Sequence, residues 1–198
     1  MCSETVTVLN SVNAGLSTLD VSQGGDRRIL GQTLPKWFGG LTNTVSYKGL
    51  SLEVFLRFQG GNQVYNQTKQ DNLLNQDFNN SGTELLNRWR PENPNTNVPK
   101  LWLNRNAQVN QSGQAISRFV EDGDFLRVQN VILSYSIPKS ILQKTGAFSL
   151  SSVRIFAQAQ NLATFTNYSG IDPELGVGFD NNTSPIFRTV TFGVNVGF

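Results

Sequence analysis

The sequence contains no histidine, and this absence removes the side chain that most often serves as a general base or metal ligand. A Ser-His-Asp arrangement is therefore impossible, and no pair of carboxylates is set out at regular spacing. The single cysteine, Cys2, cannot form an internal disulfide. No run of about 18 apolar residues occurs, so no transmembrane helix is predicted. The sequence argues against an enzyme, and we expect no cofactor and no metal centre.

Charge is also sparse. The formal net charge is +2 over 198 residues, which indicates neither a nucleic acid nor an acidic substrate as a partner. Glycine, asparagine and glutamine are frequent, and the aromatic residues are mostly phenylalanine. This composition is typical of short strands joined by polar loops, whereas a disordered chain would lack the aromatic residues.

The last twelve residues, 187–198, alternate strictly from Val190 onward. There apolar side chains fall at every even position, and threonine, glycine and asparagine lie between them. Such alternation gives a strand one apolar face and one small polar face. In a soluble sandwich the apolar face would point to a protein core, whereas in an outer-membrane barrel it would point to lipid. This stretch alone leaves both alternatives open.

A second alternating region, 41–59, contains a tight turn at Lys48-Gly49 and is predicted to be a β-hairpin. Its second strand places five large apolar residues on one face and Glu53 and Arg57 on the other. A charge facing lipid at the bilayer midplane would cost about 2–4 kcal/mol, so this segregation suits a lipid-facing strand as well as a sandwich.

Six strands are predicted in all, at about residues 4–9, 38–47, 50–60, 124–136, 152–162 and 187–198. The alternation changes parity near Asn130, which indicates a β-bulge or a strand that leaves the membrane halfway. Phe156 falls among the even-numbered positions of its strand, which are otherwise polar. Residues 11–35 are predicted to be a loop, and residues 60–122 lack a strand pattern.

Two short helices are predicted between the strands. A capping box, Ser81 to Glu84, opens the first, which would contain Leu85, Leu86 and Trp89 and would end at Pro91. The second, 139–144, would begin after Pro138. Long and short connections alternate between the strands, as they do in outer-membrane barrels with short periplasmic turns and long extracellular loops.

Several stretches together resemble the C-terminal end of the SusC/RagA family of TonB-dependent outer-membrane transporters. They are DRRILGQTLPKWFGG with its hairpin SYKGLSLEVFLRF, then RWRPENPNTNVPKL, VEDGDFLRVQNVILSYSIPKSIL, VRIFAQAQNLATFTNYSGIDPEL and RTVTFGVNVGF. The likeness covers most of residues 26–198, in the order and spacing of the family.

The resemblance implies an all-β fold: an antiparallel transmembrane β-barrel segment with long extracellular loops, formed by about six C-terminal strands of a barrel of about 22 strands. Residues 1–198 would be the C-terminal portion, with the plug and N-terminal domains lying elsewhere. It further implies the outer membrane of a Gram-negative bacterium, a SusD-like surface lipoprotein, the TonB complex, the barrel-assembly machinery, and import of oligosaccharides or peptides. The alternative is a soluble all-β carbohydrate-binding or interaction module, and six strands argue against a free-standing small barrel.

Three groups of residues are candidates for function. The predicted lumen-facing residues, which could contact solute, pair across strands or contact the plug, are Glu53, Arg57, Arg127, Gln129, Arg154, Gln158 and Gln160. The candidates for substrate or lid contact in the loops are Trp89, Trp102, Tyr168, Asp172 and Asp180, although Trp89 could instead pack on its own helix. The predicted barrel-insertion signal, which could also be simply a last strand with a lipid face, consists of Val190, Phe192, Val194, Val196 and Phe198.

One further cluster has oxygen ligands of the type that calcium binds. It consists of Asp172, Glu174, Asp180 and Asn181. Their spacing matches no known calcium-binding loop, so a solvated polar loop is the preferred interpretation.

Overall fold

The computed structural model describes residues 5–9, 27–74, 80–98, 100, 117–143, 150–175 and 178–198. The chain divides into two compact units. The first, which we call the sheet unit, comprises Lys36–Gly60, Asp124–Asn167 and Pro185–Phe198. The second, which we call the loop unit, comprises Met1–Pro35, Gly61–Gly123 and Tyr168–Ser184.

The described part of the chain is mostly strand. In chain order, the strands are β1 (Thr5–Leu9), β2 (Arg27–Gln32), β3 (Trp37–Tyr47), β4 (Leu50–Gly60), β5 (Gln63–Asn66), β6 (Val120–Asp122), β7 (Phe125–Ser136), β8 (Ser152–Thr166), β9 (Phe179–Asp180) and β10 (Thr189–Gly197). The α-helices are α1 (Gln67–Leu74) and α2 (Lys139–Leu142), and single 3-10 turns occur at Thr83–Asn87 and Ser117–Phe119. None of the helices within these described ranges is long and apolar enough to cross a membrane.

The sheet unit contains one antiparallel sheet of five strands in the order β10-β8-β7-β4-β3. The predicted hairpin is confirmed: β3 and β4 are joined by Lys48 and Gly49, with φ of 47° and 87°. Two consecutive positive φ angles define a type I′ turn, whose twist matches that of the strands it joins. β8 runs to Thr166, further than the predicted end at 162.

Short and long connections leave opposite ends of this sheet. Tyr47, Leu50 and Tyr135 pair in one row, and the tight turn and the connection through α2 lie at this end. At the other end Gln59, Phe125 and Thr166 pair in one row, and the long connections begin there. The predicted alternation is therefore present in the structure.

A β-bulge lies where the sequence changes parity. Phe55 pairs with Asn130 and Leu56 pairs with Val128, so Gln129 has no pairing partner on β4. The irregularity continues on the other side, where the pairing of β7 with β8 shifts between Val128 and Asn130. The extra residue returns both halves of β7 to the same parity, and the predicted bulge is confirmed.

One face of the sheet, which we call the apolar face, carries no charged side chain among its described residues. Its members, assigned from the pairing of the strands, are Trp37, Gly39, Leu41, Asn43, Val45, Tyr47, Leu50, Leu52, Val54, Leu56, Phe58, Leu126, Val128, Val131, Leu133, Tyr135, Val153, Ile155, Ala157, Ala159, Ala163, Phe165, Val190, Phe192, Val194 and Val196. Asn43 is the single polar side chain among them. Leu52 is 39% exposed, Val45 60% and Phe192 79%. The sandwich alternative requires protein over this face, and such exposure is not what a sandwich core would show.

On the opposite face, which we call the polar face, Phe156 and Phe55 occupy positions where the alternation predicts polar residues, and glycines of the outer strands explain why. Phe156 pairs directly with Gly193 of the outer strand β10, and a Cβ atom on Gly193 would overlap the Phe156 ring. Phe55 likewise covers Gly40 of the other outer strand, where an added Cβ would lie 2.8 Å from the Phe55 ring. An aromatic ring laid over a cross-strand glycine compensates for the side chain that glycine lacks.

The loop unit is more ordered than the sequence indicated. β1 and β2 pair antiparallel as a separate two-stranded sheet, and β5 lies between β6 and β9 in a three-stranded sheet, parallel to β9. The prediction of a loop at 11–35 was therefore wrong for 27–32, and residues 60–122 contain β5, α1 and β6. β5 is four residues long and α1 is almost entirely polar, so neither shows a hydrophobic period.

A small apolar core lies within the loop unit. Tyr65, Val98 and Phe119 are at most 5% exposed, and Leu85 and Val120 pack against them. Residues from three separate segments thus share one core, which fixes those segments to one another.

The predicted capping box at Ser81 was wrong. Gly82, not Ser81, caps the 3-10 turn Thr83–Asn87, and no side chain donates or accepts a cap hydrogen bond there. The backbone N–H of Leu85 instead donates to the carbonyl of Gly82 at 3.1 Å. Trp89 lies beyond this turn, is 38% exposed and therefore does not form its core. By contrast, the helix predicted after Pro138 is present as Lys139–Leu142, with Pro138 as its N-cap.

Gly193→Val tests the pairing of glycine with an aromatic ring. We expect it to lower the free energy of unfolding by about 1–3 kcal/mol, because the new side chain must displace the Phe156 ring. Urea unfolding of the protein measures this. Asn195→Val, on the same strand and face, is the matched control and should cost less. If the cost of Gly193→Val is the same with Phe156→Ala present, the ring is not the cause.

Candidate functional site

Six of the seven predicted lumen-facing residues lie on the polar face. They are Glu53, Arg57, Arg127, Arg154, Gln158 and Gln160. Gln129, the seventh, is the extra residue of the bulge. The structure thus places the side chains together, while their position in a lumen remains a prediction.

Two arginines of this face are directly opposite each other, because Arg57 pairs with Arg127. Arg127 is 1% exposed, its Nε donates to the hydroxyl of Thr164 at 3.1 Å, and its guanidinium lies 5.0 Å from the centre of the Phe125 ring. Stacking on the ring and hydrogen bonding to the hydroxyl hold the guanidinium in place. Arg127 is therefore held in one position on the polar face.

Other polar-face residues also bond across strands. Arg154 donates to Ser134 at 2.9 Å, and Gln158 donates to Asn130 at 2.9 Å. At the bulge, the amide nitrogen of Gln129 donates to Asn161 at 3.0 Å. Of the alternatives for these residues, pairing across strands is the one that the structure displays directly.

Two of the loop candidates contact each other. Tyr168 and Asp180 are each 5% exposed, and the Tyr168 hydroxyl donates to Asp180 Oδ2 at 2.6 Å. The other carboxylate oxygen accepts from the Thr68 hydroxyl at 3.0 Å. Burial raises the pKa of Tyr168, and the hydrogen bond and charge of Asp180 raise it further, so the phenol stays a donor. This placement favours a role in holding the loop unit over direct contact with a ligand.

A second carboxylate, that of Glu121, was not identified from the sequence. It also links the start of α1 to the residues that follow β8. Glu121 of β6 accepts hydrogen bonds from the backbone N–H and hydroxyl of Ser169 at 2.7 and 2.6 Å, and from Lys69 Nζ at 3.4 Å. Asn66 donates to it at 3.4 Å and also caps α1 through the backbone N–H of Lys69. Burial alone would raise the pKa of Glu121, but the Ser169 hydrogen bonds and the Lys69 charge outweigh it, and the pKa lies below its ordinary value of 4.5.

No local motif reveals this carboxylate cluster, because its partners lie far apart in the sequence. The one local signal is Asn66, a preferred N-cap residue at the start of α1.

Two of the remaining loop candidates, Trp89 and Asp172, lie in described parts of the chain. Lys100 Nζ lies 6.0 Å from the centre of the half-exposed Trp89 ring. Asp172 accepts from the backbone N–H of Glu174 at 2.9 Å in a local turn, and Trp102 lies outside the described residues. In the part of the chain that the structure describes, no three acidic or cysteine side chains converge on a possible metal position.

Val190, Phe192, Val194 and Val196 lie on the apolar face, and all five residues of the predicted signal are exposed. Val190 is 60%, Val194 59% and Phe198 87% exposed. Their service as a signal to the barrel-insertion machinery remains a prediction.

An antiparallel sheet with one charge-free exposed face, one polar face and connections that alternate between short turns and long segments is typical of the wall of an outer-membrane-type β-barrel. No protein-family profile matches the chain. By sequence it is similar to TonB-dependent receptors P3 and P26 of Formosa agariphila, at 33% and 29% identity over 87% of the chain. It is also 28% identical, over 93% of the chain, to TonB-dependent receptor SusC of Bacteroides thetaiotaomicron.

Solved structures give the same result. The chain is similar to a structure of the RagAB peptide transporter, with a TM-score of 0.74 and 30% identity over 86% of the chain and 18% of that chain. It is also similar to the RagAB peptide importer in its open-open state, with a TM-score of 0.75 and 28% identity over 97% of the chain and 20% of that chain. The chain belongs to the SusC/RagA family of TonB-dependent receptors. It spans 17–18% of the length of the curated relatives that it matches.

Replacing Glu121 tests the carboxylate cluster. We expect Glu121→Gln to destabilise the loop unit by about 1–3 kcal/mol, because a neutral amide accepts weaker hydrogen bonds from Ser169 and Lys69. The readout is hydrogen exchange of peptides covering 167–171 in the full-length protein. Glu84→Gln is the matched control, since Glu84 lies 4.0 Å from Lys69 and its side chain is 45% exposed. Equal protection in both variants would contradict the assignment.

Acid should weaken the same cluster. A carboxyl group whose pKa is lowered on folding stabilises the folded state above its ordinary value of 4.5, and this stability is lost as pH falls through the folded pKa. We expect the hydrogen-exchange protection factor at Ser169 to be constant above about pH 5 and to fall below about pH 4. In Glu121→Gln this fall should be absent. A fall of the same size in that variant would show that another group titrates.

Proposed function

We propose that the chain forms part of the barrel wall and ordered loops of a SusC-like, TonB-dependent nutrient importer in the outer membrane of a Gram-negative bacterium. The observation that carries this proposal is the segregation of the five-stranded sheet into a charge-free exposed face and a polar face. The apolar face lies against lipid, and the polar face, with Arg57, Arg127 and Glu53, lines the lumen.

The sheet continues into further strands of the same barrel. Among the described strands, β3 and β10 are the outer strands, and each has one edge without a neighbour. An open edge within a bilayer would leave backbone groups unsatisfied, at several kcal/mol for each group. The share of its relatives that the chain spans supports the same view: residues 1–198 are the C-terminal portion, and the plug and N-terminal domains belong to the rest of the receptor.

The partners follow from this role. A SusD-like surface lipoprotein would meet the extracellular loops, and the TonB complex would act through the part of the receptor that lies outside this chain. The barrel-assembly machinery would recognise Val190 to Phe198. Trp89, 38% exposed in the loop unit, remains a candidate for contact with the substrate or lid, together with Trp102 and Asp172.

The substrate is an oligosaccharide or a peptide. The two RagAB structures are described as a peptide transporter and a peptide importer, and they support the peptide. The relative SusC is named as a TonB-dependent receptor, and that name gives no substrate class. The relatives are named as receptors and transporters, and the proposed activity is transport without covalent chemistry.

An uptake experiment tests the function and separates the substrates. Cells with and without the full-length protein are given fluorescent oligosaccharides or fluorescent peptides, in the presence or absence of a protonophore. We expect one class to accumulate only in cells that have the protein and have an energised inner membrane, because TonB transmits that energy. Equal accumulation of both classes in the deletion strain would contradict import.

A pair of neighbouring substitutions tests the orientation of the sheet. Leu41→Arg should sharply reduce the amount of folded protein in the outer membrane, because an arginine facing lipid costs about 2–4 kcal/mol near the midplane. Thr42→Arg is the matched control: it is the next residue on β3, is also exposed and faces the polar side. Its arginine would be in water, and we expect near-normal amounts.

Heat-modified mobility of folded barrel on gels, together with partitioning into detergent, measures both variants. Under the soluble-module alternative the apolar face is a protein core, so Leu41→Arg would also be destabilising, but the unchanged protein and Thr42→Arg would fold in detergent-free buffer and would not partition into detergent. That outcome would overturn the orientation proposed for the sheet.

A further inference from the structure

Glycines in the strands of the sheet unit lie under aromatic rings of the neighbouring strand. Four of the five glycines in these described strands have such a ring, and the fifth, Gly197, meets serine hydroxyls instead. In three of the four pairs the two residues are direct cross-strand partners, and in the remaining pair the glycine lies two residues along from that position. The pairs are Gly39 with Phe58, Gly60 with Trp37, Gly193 with Phe156 and, displaced by two residues, Gly40 with Phe55.

Phe38 is the one aromatic residue of the polar face that is still exposed in the described sheet. Its side chain is 80% exposed, whereas Phe125 is 4% exposed and stacks on Arg127. Phe55 and Phe156 are half-buried over their glycines. On the apolar face an exposed ring would meet lipid, but on the polar face it would meet water, and burial of aromatic surface is favourable. We therefore expect Phe38 to have a partner.

Strand β4 does not provide that partner. Phe38 pairs with the polar residue Gln59, and Gly60, the one glycine of β4, faces the other side under Trp37. β3 is an outer strand, and among the described strands its second edge has no neighbour. In the proposed barrel the next strand would pair at this edge, beside Phe38.

We propose that Phe38 covers a glycine of the barrel strand that flanks β3, in a part of the receptor outside the described strands. This inference rests on the proposed function, because it requires the sheet to continue into a barrel. It adds a property of the flanking strand: a glycine on the polar face, directly opposite Phe38 or two residues along. The pair would also fix the register, since a shift of one residue would move that glycine to the other face.

Photocrosslinking of the full-length receptor in outer membranes identifies what lies over position 38. The photoreactive residue p-benzoylphenylalanine is introduced in place of Phe38, and on illumination its ketone forms a bond to a neighbouring C–H group, becoming an alcohol. Mass spectrometry of the digested protein locates the bond. The same residue in place of Phe156 is the matched control, because the ring at 156 lies over Gly193 and its crosslink should fall on β10.

We expect the crosslink from position 38 to fall on another strand of the barrel, at a glycine or at a residue next to it. A crosslink to the plug, to a solute in the lumen, or to a strand that has no glycine at this point would overturn the inference. The absence of any crosslink from position 38, in a receptor whose position 156 crosslinks to β10, would also overturn it.

A second measurement does not depend on the photoreactive residue. The glycine located on the flanking strand is replaced by valine in the unchanged receptor and in Phe38→Ala, and the urea midpoints of unfolding are compared. We expect valine to lower the midpoint in the unchanged receptor and to lower it less in Phe38→Ala, because the new side chain then displaces no ring. Thr42→Ala, on the same strand and face, is the control and should leave the effect of valine unchanged. Equal shifts in all three backgrounds would contradict the pairing.

Heat-modified mobility of the unchanged receptor separates this inference from the function on which it rests. If the unchanged receptor is not a heat-modifiable barrel in the outer membrane, the proposed function fails. If it is such a barrel and the crosslink from position 38 falls elsewhere, the barrel wall stands and the pairing of Phe38 with a glycine is wrong.

Discussion

Side-chain parity is the constraint on which the sheet depends. In a strand every second residue faces the same way, so a shift of one residue would move a whole set of side chains to the other face. In a regular strand the two halves of β7 would place their apolar residues on opposite faces, because Leu126 and Val128 are even-numbered whereas Val131 and Leu133 are odd-numbered. The bulge at Gln129 resolves it by inserting one unpaired residue, and both halves then join the apolar face. Without the bulge, Arg127 would be displaced from the polar face, at the cost of a charge facing lipid.

The outer strands contain glycines that are compensated by aromatic rings from the neighbouring strands. Gly39 and Gly40 on β3 and Gly193 on β10 would weaken these strands, because glycine offers no side chain for packing. The neighbouring strands provide Phe58, Phe55 and Phe156, whose rings occupy the space where a Cβ atom would lie. Two phenylalanines therefore occur on the polar face for a packing reason, and that face remains suited to water through its threonines, arginines and amides.

The sequence predicts the sheet well and the loop unit poorly, and the reason is the range of the interactions. Alternation in β4 and β10 and the turn at Lys48-Gly49 are local patterns, and even the bulge is visible as a change of parity. The four-residue β5 and the polar helix α1 have no such pattern. Glu121 bonds to Lys69 and Ser169, each about fifty residues away, so no motif could reveal it. The sequence marks Tyr168 and Asp180 as candidates for substrate or lid contact, but only the structure shows that they contact each other.

Those long-range bonds bear on how the loops could work. The carboxylates of Glu121 and Asp180, with the core of Tyr65, Val98 and Phe119, fix separate segments of the loop unit to one another. A surface ordered before binding loses less conformational entropy when a partner or solute arrives than a set of free loops would lose. Buried polar groups that are fully hydrogen-bonded also specify one arrangement among many. The ordered cluster therefore acts as the support, and recognition would fall to side chains left exposed around it, of which Trp89 is one.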